Sequence, residues 1–218
     1  RSDGLHFLGL EQLLFQSLDF GFRRDAIGHV PADALQVQAV PPGPAPDVEH
    51  PAVRSLCRQL GEGGYRVTEL PVDHAGRLDM DQVRDVLTPD TAVCSIMWAN
   101  NETGVVFPVE EIAAICRSRG IVFHTDATQS VGKLPVDLKG NFRHVDLLSF
   151  SGHKLHAPKG IGALYLRRGT PVRPFMIGGH QEEGRRAGTE KVPYIIEMAK
   201  AEELAIKNHE EEEARVHG

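Results

Sequence analysis

Long apolar runs are missing from this sequence. Nothing in it approaches the ~18 consecutive apolar residues of a membrane-spanning helix, so no such span is expected. Cysteine is scarce. Cys57, Cys94 and Cys116 show no CxxC spacing and are too few for a disulfide framework. A reducing, cytoplasmic setting follows as the expectation. Positive charge is not in excess either. Lys and Arg number 24 against 30 Asp and Glu, a net charge of −6, so nucleic acid is not expected as a partner. The N-terminus has no basic region followed by an apolar stretch and a small-residue cleavage site. The first residue is Arg1, so the chain is expected to begin downstream of its translation start.

What remains is ordinary for a soluble globular protein. Apolar residues make up 41% and charged residues 25% of 218, enough to bury a sizeable core. The run Glu210 to Glu213 reads as a solvated helix face.

The chain divides near residue 47. Residues 1–47 form an unassigned segment in which Leu10, Leu13, Leu14 and Leu18 suggest a short amphipathic helix. Its end, Pro41-Pro42-Gly43-Pro44-Ala45-Pro46, reads as a linker. From residue 48 the pattern is α/β. Helices are expected at 51–62 and 78–87, with another between Pro108 and Gly120 and one long helix at 194–213. Strands are expected at 65–70, 92–98, 145–150 and 161–166, and one starting at 121–123. The run at 92–98 is nearly continuous in apolar residues, as suits a strand buried on both faces. The alternation argues for a parallel or mixed sheet covered by helices.

In such sheets ligands bind outside the carboxyl ends of the strands. Polar residues gather there. One strand runs into Asn100-Asn101-Glu102-Thr103-Gly104, the next into His124-Thr125-Asp126-Ala127-Thr128-Gln129, a third into Ser151-Gly152-His153-Lys154. An amide pair, a carboxylate with an amide, and a lysine thus come together. Pyridoxal phosphate needs such a set: an amine for its aldehyde and a carboxylate against its pyridinium nitrogen. Lys154 and Asp126 are the candidates. Asn101 and Gln129 suit the phenolic oxygen, Ser151 and His153 the phosphate, and His50 the face of the ring. Each residue alone has a plain structural reading, as a cap, a turn residue or a surface side chain. Only their joint appearance in order points to the cofactor.

The ordered set resembles the cysteine desulfurases, the NifS-like branch of the fold-type-I pyridoxal-phosphate enzymes, within the class-V aminotransferases. The resemblance runs through Glu49-His50-Pro51-Ala52-Val53, the three strand-end stretches, Gly160-Ile161-Gly162, Gly178-Gly179-His180-Gln181-Glu182 and Arg185-Arg186-Ala187-Gly188-Thr189-Glu190. It covers about residues 48–210. It implies a three-layer α/β large domain, a mixed, mostly parallel sheet with helices on both faces, over residues 48–192. Residues 193–218 would be a helix leading toward a small domain.

The resemblance implies that Lys154 forms the Schiff base and that His50 stacks on the ring and assists proton transfer. Asp126 pairs with the ring nitrogen, and Asn101 and Gln129 contact the ring oxygen. Ser151 and His153 bind phosphate, and Thr189 reaches the phosphate of a neighbouring subunit in a homodimer. The implied reaction takes sulfur from L-cysteine, leaves L-alanine and passes a persulfide to an iron–sulfur scaffold protein. The wording around Trp98 and His156 is most like the branch serving nitrogenase.

Two parts of the family pattern are not found in the sequence. The upstream phosphate turn is absent from residues 1–46, and no cysteine on a mobile Ser/Gly-rich loop follows residue 190. The sequence is therefore expected to be incomplete at both ends and to desulfurate cysteine poorly by itself. Lys191 also replaces the family's asparagine after Gly188-Thr189-Glu190. Other readings stay open: an aminotransferase or selenocysteine lyase of the same fold, an inactive remnant, or a metal site using His124 with Asp126 or His153 with His156.

Overall fold

The computed structural model of the chain describes residues 4–8, 35–40, 51–174 and 176–217. Among these, seven strands form one sheet: β1 (Gly4–Leu8), β2 (Leu35–Val40), β3 (Val67–Pro71), β4 (Thr91–Met97), β5 (Val122–Asp126), β6 (Leu147–Ser151) and β7 (Gly162–Leu166). Their order across the sheet is β1-β7-β6-β5-β4-β2-β3. From β3 to β6 neighbouring strands run parallel, while β7 is antiparallel to both β6 and β1. This is the mixed, mostly parallel sheet that the family resemblance implies.

Two strands come from the segment that the local pattern left unassigned. β2 lies between β3 and β4, pairing Val37 with Thr68 on one side and with Cys94 on the other. β1 closes the far edge against β7. A five- or six-residue strand gains its stability from ladders on its neighbours, which a local reading does not see. The amphipathic helix expected around Leu10 to Leu18 lies outside the described residues.

The longer helices are α1 (Pro51–Glu62), α2 (Met80–Val86), α3 (Val109–Ser118), α4 (Val192–Lys207) and α5 (His209–His217), with a single turn at Gln181–Gly184. Their ends follow local chemistry. The Asp79 carboxylate accepts from the backbone N–H of Asp81 at 2.9 Å and of Gln82 at 3.4 Å, which starts α2. Glu110 and Glu111 occupy the first turn of α3 and Arg117 its last, matching the helix dipole. Pro108 is its N-cap. Gly120, at φ 72°, lets the Ile121 N–H return to the Cys116 carbonyl at 2.9 Å.

The long C-terminal helix expected at 194–213 is instead two helices, α4 and α5, broken at Asn208. Asn208 sits at φ −94°, ψ 3°, outside helical geometry. Asparagine is a weak helix former, and the apolar positions of α4 give way after it to Glu210-Glu211-Glu212-Glu213.

Side chains alternate across the sheet and divide the interior. One face carries Cys94, Ile96, Phe123, Leu148, Phe150, Ala163 and Tyr165. All are buried in the main core with Ile112 and Cys116 of α3 and Met198 of α4. Phe123 and Phe142 are fully buried there, each contributing roughly 1.5–3 kcal/mol by leaving water. Trp98 packs on Phe142 with ring centroids 4.5 Å apart and a tilt of 55°. The opposite face carries smaller apolar clusters, Leu56 with Val93 and Leu147 with Leu164 and Leu166. Between these clusters lie Ser95, His124, Asp126, Ser149 and Ser151, all buried.

Candidate functional site

The parallel strands β4, β5 and β6 end at one level. Met97 pairs with Asp126, and Asp126 with Ser149. The pairing continues past the strand ends. The Trp98 N–H donates to the Asp126 carbonyl at 2.9 Å, and the Ala127 N–H to the Ser149 carbonyl at 2.8 Å. The turns that leave the strands are thereby held to the sheet. Asp126 is 8% exposed, and its Oδ1 accepts the Thr128 N–H at 2.9 Å. This Asx turn sets the carboxylate at the strand end.

After β4 the two adjacent asparagines have different environments. Asn100 is buried, and its Oδ1 accepts from the N–H of Glu102 and of Thr103, both at 2.9 Å, and from Thr103 Oγ1 at 3.1 Å. It builds the turn. Asn101 is exposed, and its amide donates to Glu102 Oε1 at 2.7 Å. Gly104 at φ 71° closes the turn, with its N–H on the Asn100 carbonyl at 2.9 Å.

After β6 the chain enters a short 3-10 helix, Gly152–Leu155. Gly152 allows a close approach, since a Cβ there would stand 3.0 Å from both Ile161 Cγ2 and Met198 Sδ. Leu155 is buried and anchors the turn, and His156 at φ 64° ends it. Lys154 is exposed and lines a cavity of about 820 Å³ together with Lys133, His156, Glu197 and Lys200. Burial lowers the pKa of the Lys133 ammonium, and the Lys154 charge nearby adds to the effect. Asn101, Asp126 and Gln129 do not line this cavity.

Gly132 ties this region together. It has φ 77°, and a Cβ on it would lie 2.6 Å from Leu155 Cδ2 and 3.0 Å from Ala205 Cβ. Gly132→Ala is therefore expected to cost about 2–4 kcal/mol, combining overpacking with a left-handed backbone. Urea denaturation would measure it. A loss below half a kcal/mol would show that Leu155 and α4 shift aside freely.

The remaining site candidates are dispersed. Ser151 is buried at the end of β6 opposite Gly162. Gln129 is half-buried, while His153 and Thr189 are exposed. His50 lies outside the described residues. The structure thus brings Asp126, Ser151 and the Asn100-Asn101 turn to one edge, and directs Lys154 toward the α4–α5 side.

Sequence reasoning passed over a buried polar cluster beneath Asp126. His124 Nδ1 lies 2.8 Å from Ser95 Oγ, and Nε2 3.0 Å from Ser149 Oγ. Burial pushes the ring's pKa down to about 4, against the pull of the Asp126 carboxylate. The signal was the two-residue spacing that puts His124 and Asp126 on one strand face.

Cys57, Cys94 and Cys116 are all buried. The Cys94 thiol is pushed well above its ordinary pKa, first by its hydrogen bond with Cys116 and then by burial. None of the three is suited to act as a nucleophile. Among the described residues, no three His, Cys, Asp or Glu side chains converge as a metal site would require.

Comparison with known proteins agrees with this architecture. The family model for aminotransferase class-V matches residues 45–217. A cysteine desulfurase NifS of Azotobacter vinelandii is 57% identical over 169 residues, covering 78% of this chain and 42% of that protein. A solved NifS-like protein superposes with a TM-score of 0.82 at 33% identity, covering 95% of this chain and 54% of the other. A solved SspA in complex with cysteine superposes at 0.78, also at 33% identity, over 91% and 55%. The chain thus spans about two-fifths of the length of the curated relative. With the sheet order and these matches in agreement, the chain belongs to the class-V aminotransferase family, with the large-domain fold of the fold-type-I pyridoxal-phosphate enzymes.

Proposed function

We propose that this chain is the cofactor-binding part of a pyridoxal-phosphate-dependent cysteine desulfurase. The observation that carries the reading is the row of adjacent parallel strand ends bearing Asp126 and Ser151, with Asn101 and Lys154 in the turns that follow. The chemistry of the donor set suits the cofactor. Asp126 is a buried carboxylate able to pair with a cationic ring nitrogen. Asn101 and Gln129 carry amide N–H donors for the phenolic oxygen. The Ser151 hydroxyl and His153 suit the phosphate, with Thr189 suited to the phosphate of a second subunit. The Lys154 amine suits the aldehyde, and His50 the ring face.

When bound, the cofactor supplies an electron sink conjugated to the substrate Cα. The protein's own residues do the rest. Asp126 would hold a proton on the ring nitrogen, and the Asn101 and Gln129 amides would orient the ring. Lys154 would hold the cofactor through its amine, and that amine, once free, would serve as a base for the substrate Cα proton. L-Cysteine is the proposed substrate, in line with the cysteine bound by the structurally similar SspA. The carbon–sulfur bond breaks, a cysteine thiolate takes the sulfur as a persulfide, and L-alanine leaves. Burial argues that this thiolate is none of Cys57, Cys94 and Cys116.

An iron–sulfur scaffold protein is the proposed acceptor, for nitrogenase or general cluster assembly, and a homodimer the proposed assembly. No helix of the described residues is long and apolar enough to cross a membrane, and a cytoplasmic location is part of the proposal. The test is product analysis on full-length protein supplied with pyridoxal phosphate, L-cysteine and a thiol reductant. Alanine and sulfide in equal amounts are expected. A keto acid as the product, or turnover with selenocysteine alone, would overturn the assignment.

A further inference from the structure

The carboxylate of Asp126 has a buried neighbour with no role so far. His124 precedes it by two residues on β5, so both side chains share one face of the sheet. The His124 ring is 2% exposed. It reaches Ser95 on β4 at 2.8 Å and Ser149 on β6 at 3.0 Å. It therefore spans three strands, and Ser149 is the residue paired in register with Asp126. A neutral imidazole offers one donor and one acceptor nitrogen, and the two hydroxyls match both. With the ring's pKa held near 4 by burial, it is uncharged at neutral pH. The negative charge of Asp126 is then not cancelled from beneath.

We propose that His124 is a positioning residue: bridged between Ser95 and Ser149, it locks β4, β5 and β6 under Asp126 and reserves that carboxylate for a cationic ring nitrogen docked over the strand ends. The inference rests on the cofactor reading above. A charged imidazole at this place would form an internal pair with Asp126 and compete with the ligand. A ring that merely filled space would be replaced without loss by an apolar side chain of similar size.

Two variants separate these roles. His124→Gln keeps an amide at the reach of Nε2 and so the contact with Ser149, while His124→Leu keeps bulk alone. In the full-length protein loaded with pyridoxal phosphate, His124→Gln is expected to bind the cofactor within about threefold of the parent. His124→Leu is expected to bind it about tenfold or more weakly, with a shifted pH midpoint of the bound cofactor's visible absorbance and an unchanged far-UV circular dichroism. Unchanged affinity and midpoint in His124→Leu overturn the proposal.

If that variant does not fold, nitrogen resonances of the parent His124 ring decide. One neutral tautomer persisting down to about pH 5 is required, and a ring protonated near pH 6 overturns the proposal. A parent protein without any Lys154-dependent absorbance sinks the cofactor reading and the docking role with it. A Lys154-dependent absorbance combined with a protonated ring sinks the His124 role alone.

Discussion

Replacing Lys154 by alanine abolishes covalent attachment of pyridoxal phosphate to the protein. Borohydride reduction of the loaded parent should trap one cofactor per chain, and mass spectrometry of the digest should place it on the Ser151–Lys154 peptide. The variant should show no trapped mass and no violet-edge absorbance, while keeping its circular dichroism spectrum. The fold should tolerate the change because Lys154 is exposed, whereas its neighbours Gly152 and Leu155 carry the packing. Removing the amine takes away the Schiff base altogether, so the expected effect on attachment is complete rather than graded. Lys133 is the control. It lines the same cavity, and burial lowers its pKa, which favours the nucleophilic neutral amine. If the trapped mass were found on Lys133, or persisted in Lys154→Ala, the assignment of the attachment site would be lost.

Acidification from about pH 6.5 to pH 4 removes roughly 3 kcal/mol of stability through His124. Burial lowers the pKa of the ring from 6.5 to about 4. As pH falls through the unfolded value the unfolded chain takes up a proton, but the folded ring does so only near the lower one. The unfolded state therefore binds more protons across this window, and stability falls with pH there and is level above it. The window spans 6.5 − 4, or 2.5 pH units, which at ~1.36 kcal/mol each gives the figure stated. Asp146 acts in the opposite sense, because burial pushes its carboxyl up. Urea denaturation at pH 7 and pH 4 should therefore be compared between the parent and His124→Gln, and the difference of their slopes carries the measurement. Equal pH dependence in both proteins would show that the folded ring titrates as it does in the unfolded chain.

Local chemistry made much of the fold legible. The strand at 92–98 announced itself as an apolar run, because a strand buried on both faces has no polar side to show. Pro108 and Gly120 marked helix ends because their caps lie within a few residues of sequence. The break at Asn208 was missed because the departure is a backbone matter of one residue. Strands β1 and β2 were missed because their partners, Leu166 for Gly4 and Cys94 for Val37, are far away along the chain.

The same division runs through the site. Asp126, Asn101, Ser151 and Lys154 were legible because each follows a recognisable strand, and in a parallel sheet those ends are where ligands bind. Their ordered types pointed to the family and to the residues worth testing. Of the His124 cluster, only the spacing of His124 and Asp126 was legible. Ser95, His124 and Ser149 are three ordinary polar residues in sequence, and only the register of β4, β5 and β6 brings them within hydrogen-bond distance. Sequence by itself determined which chemical groups this protein carries and the order in which they occur. Tertiary structure decided which of them lose water and meet. Burial and strand register, both long-range properties, set the charge of His124 and the position of Lys154 on the α4–α5 side.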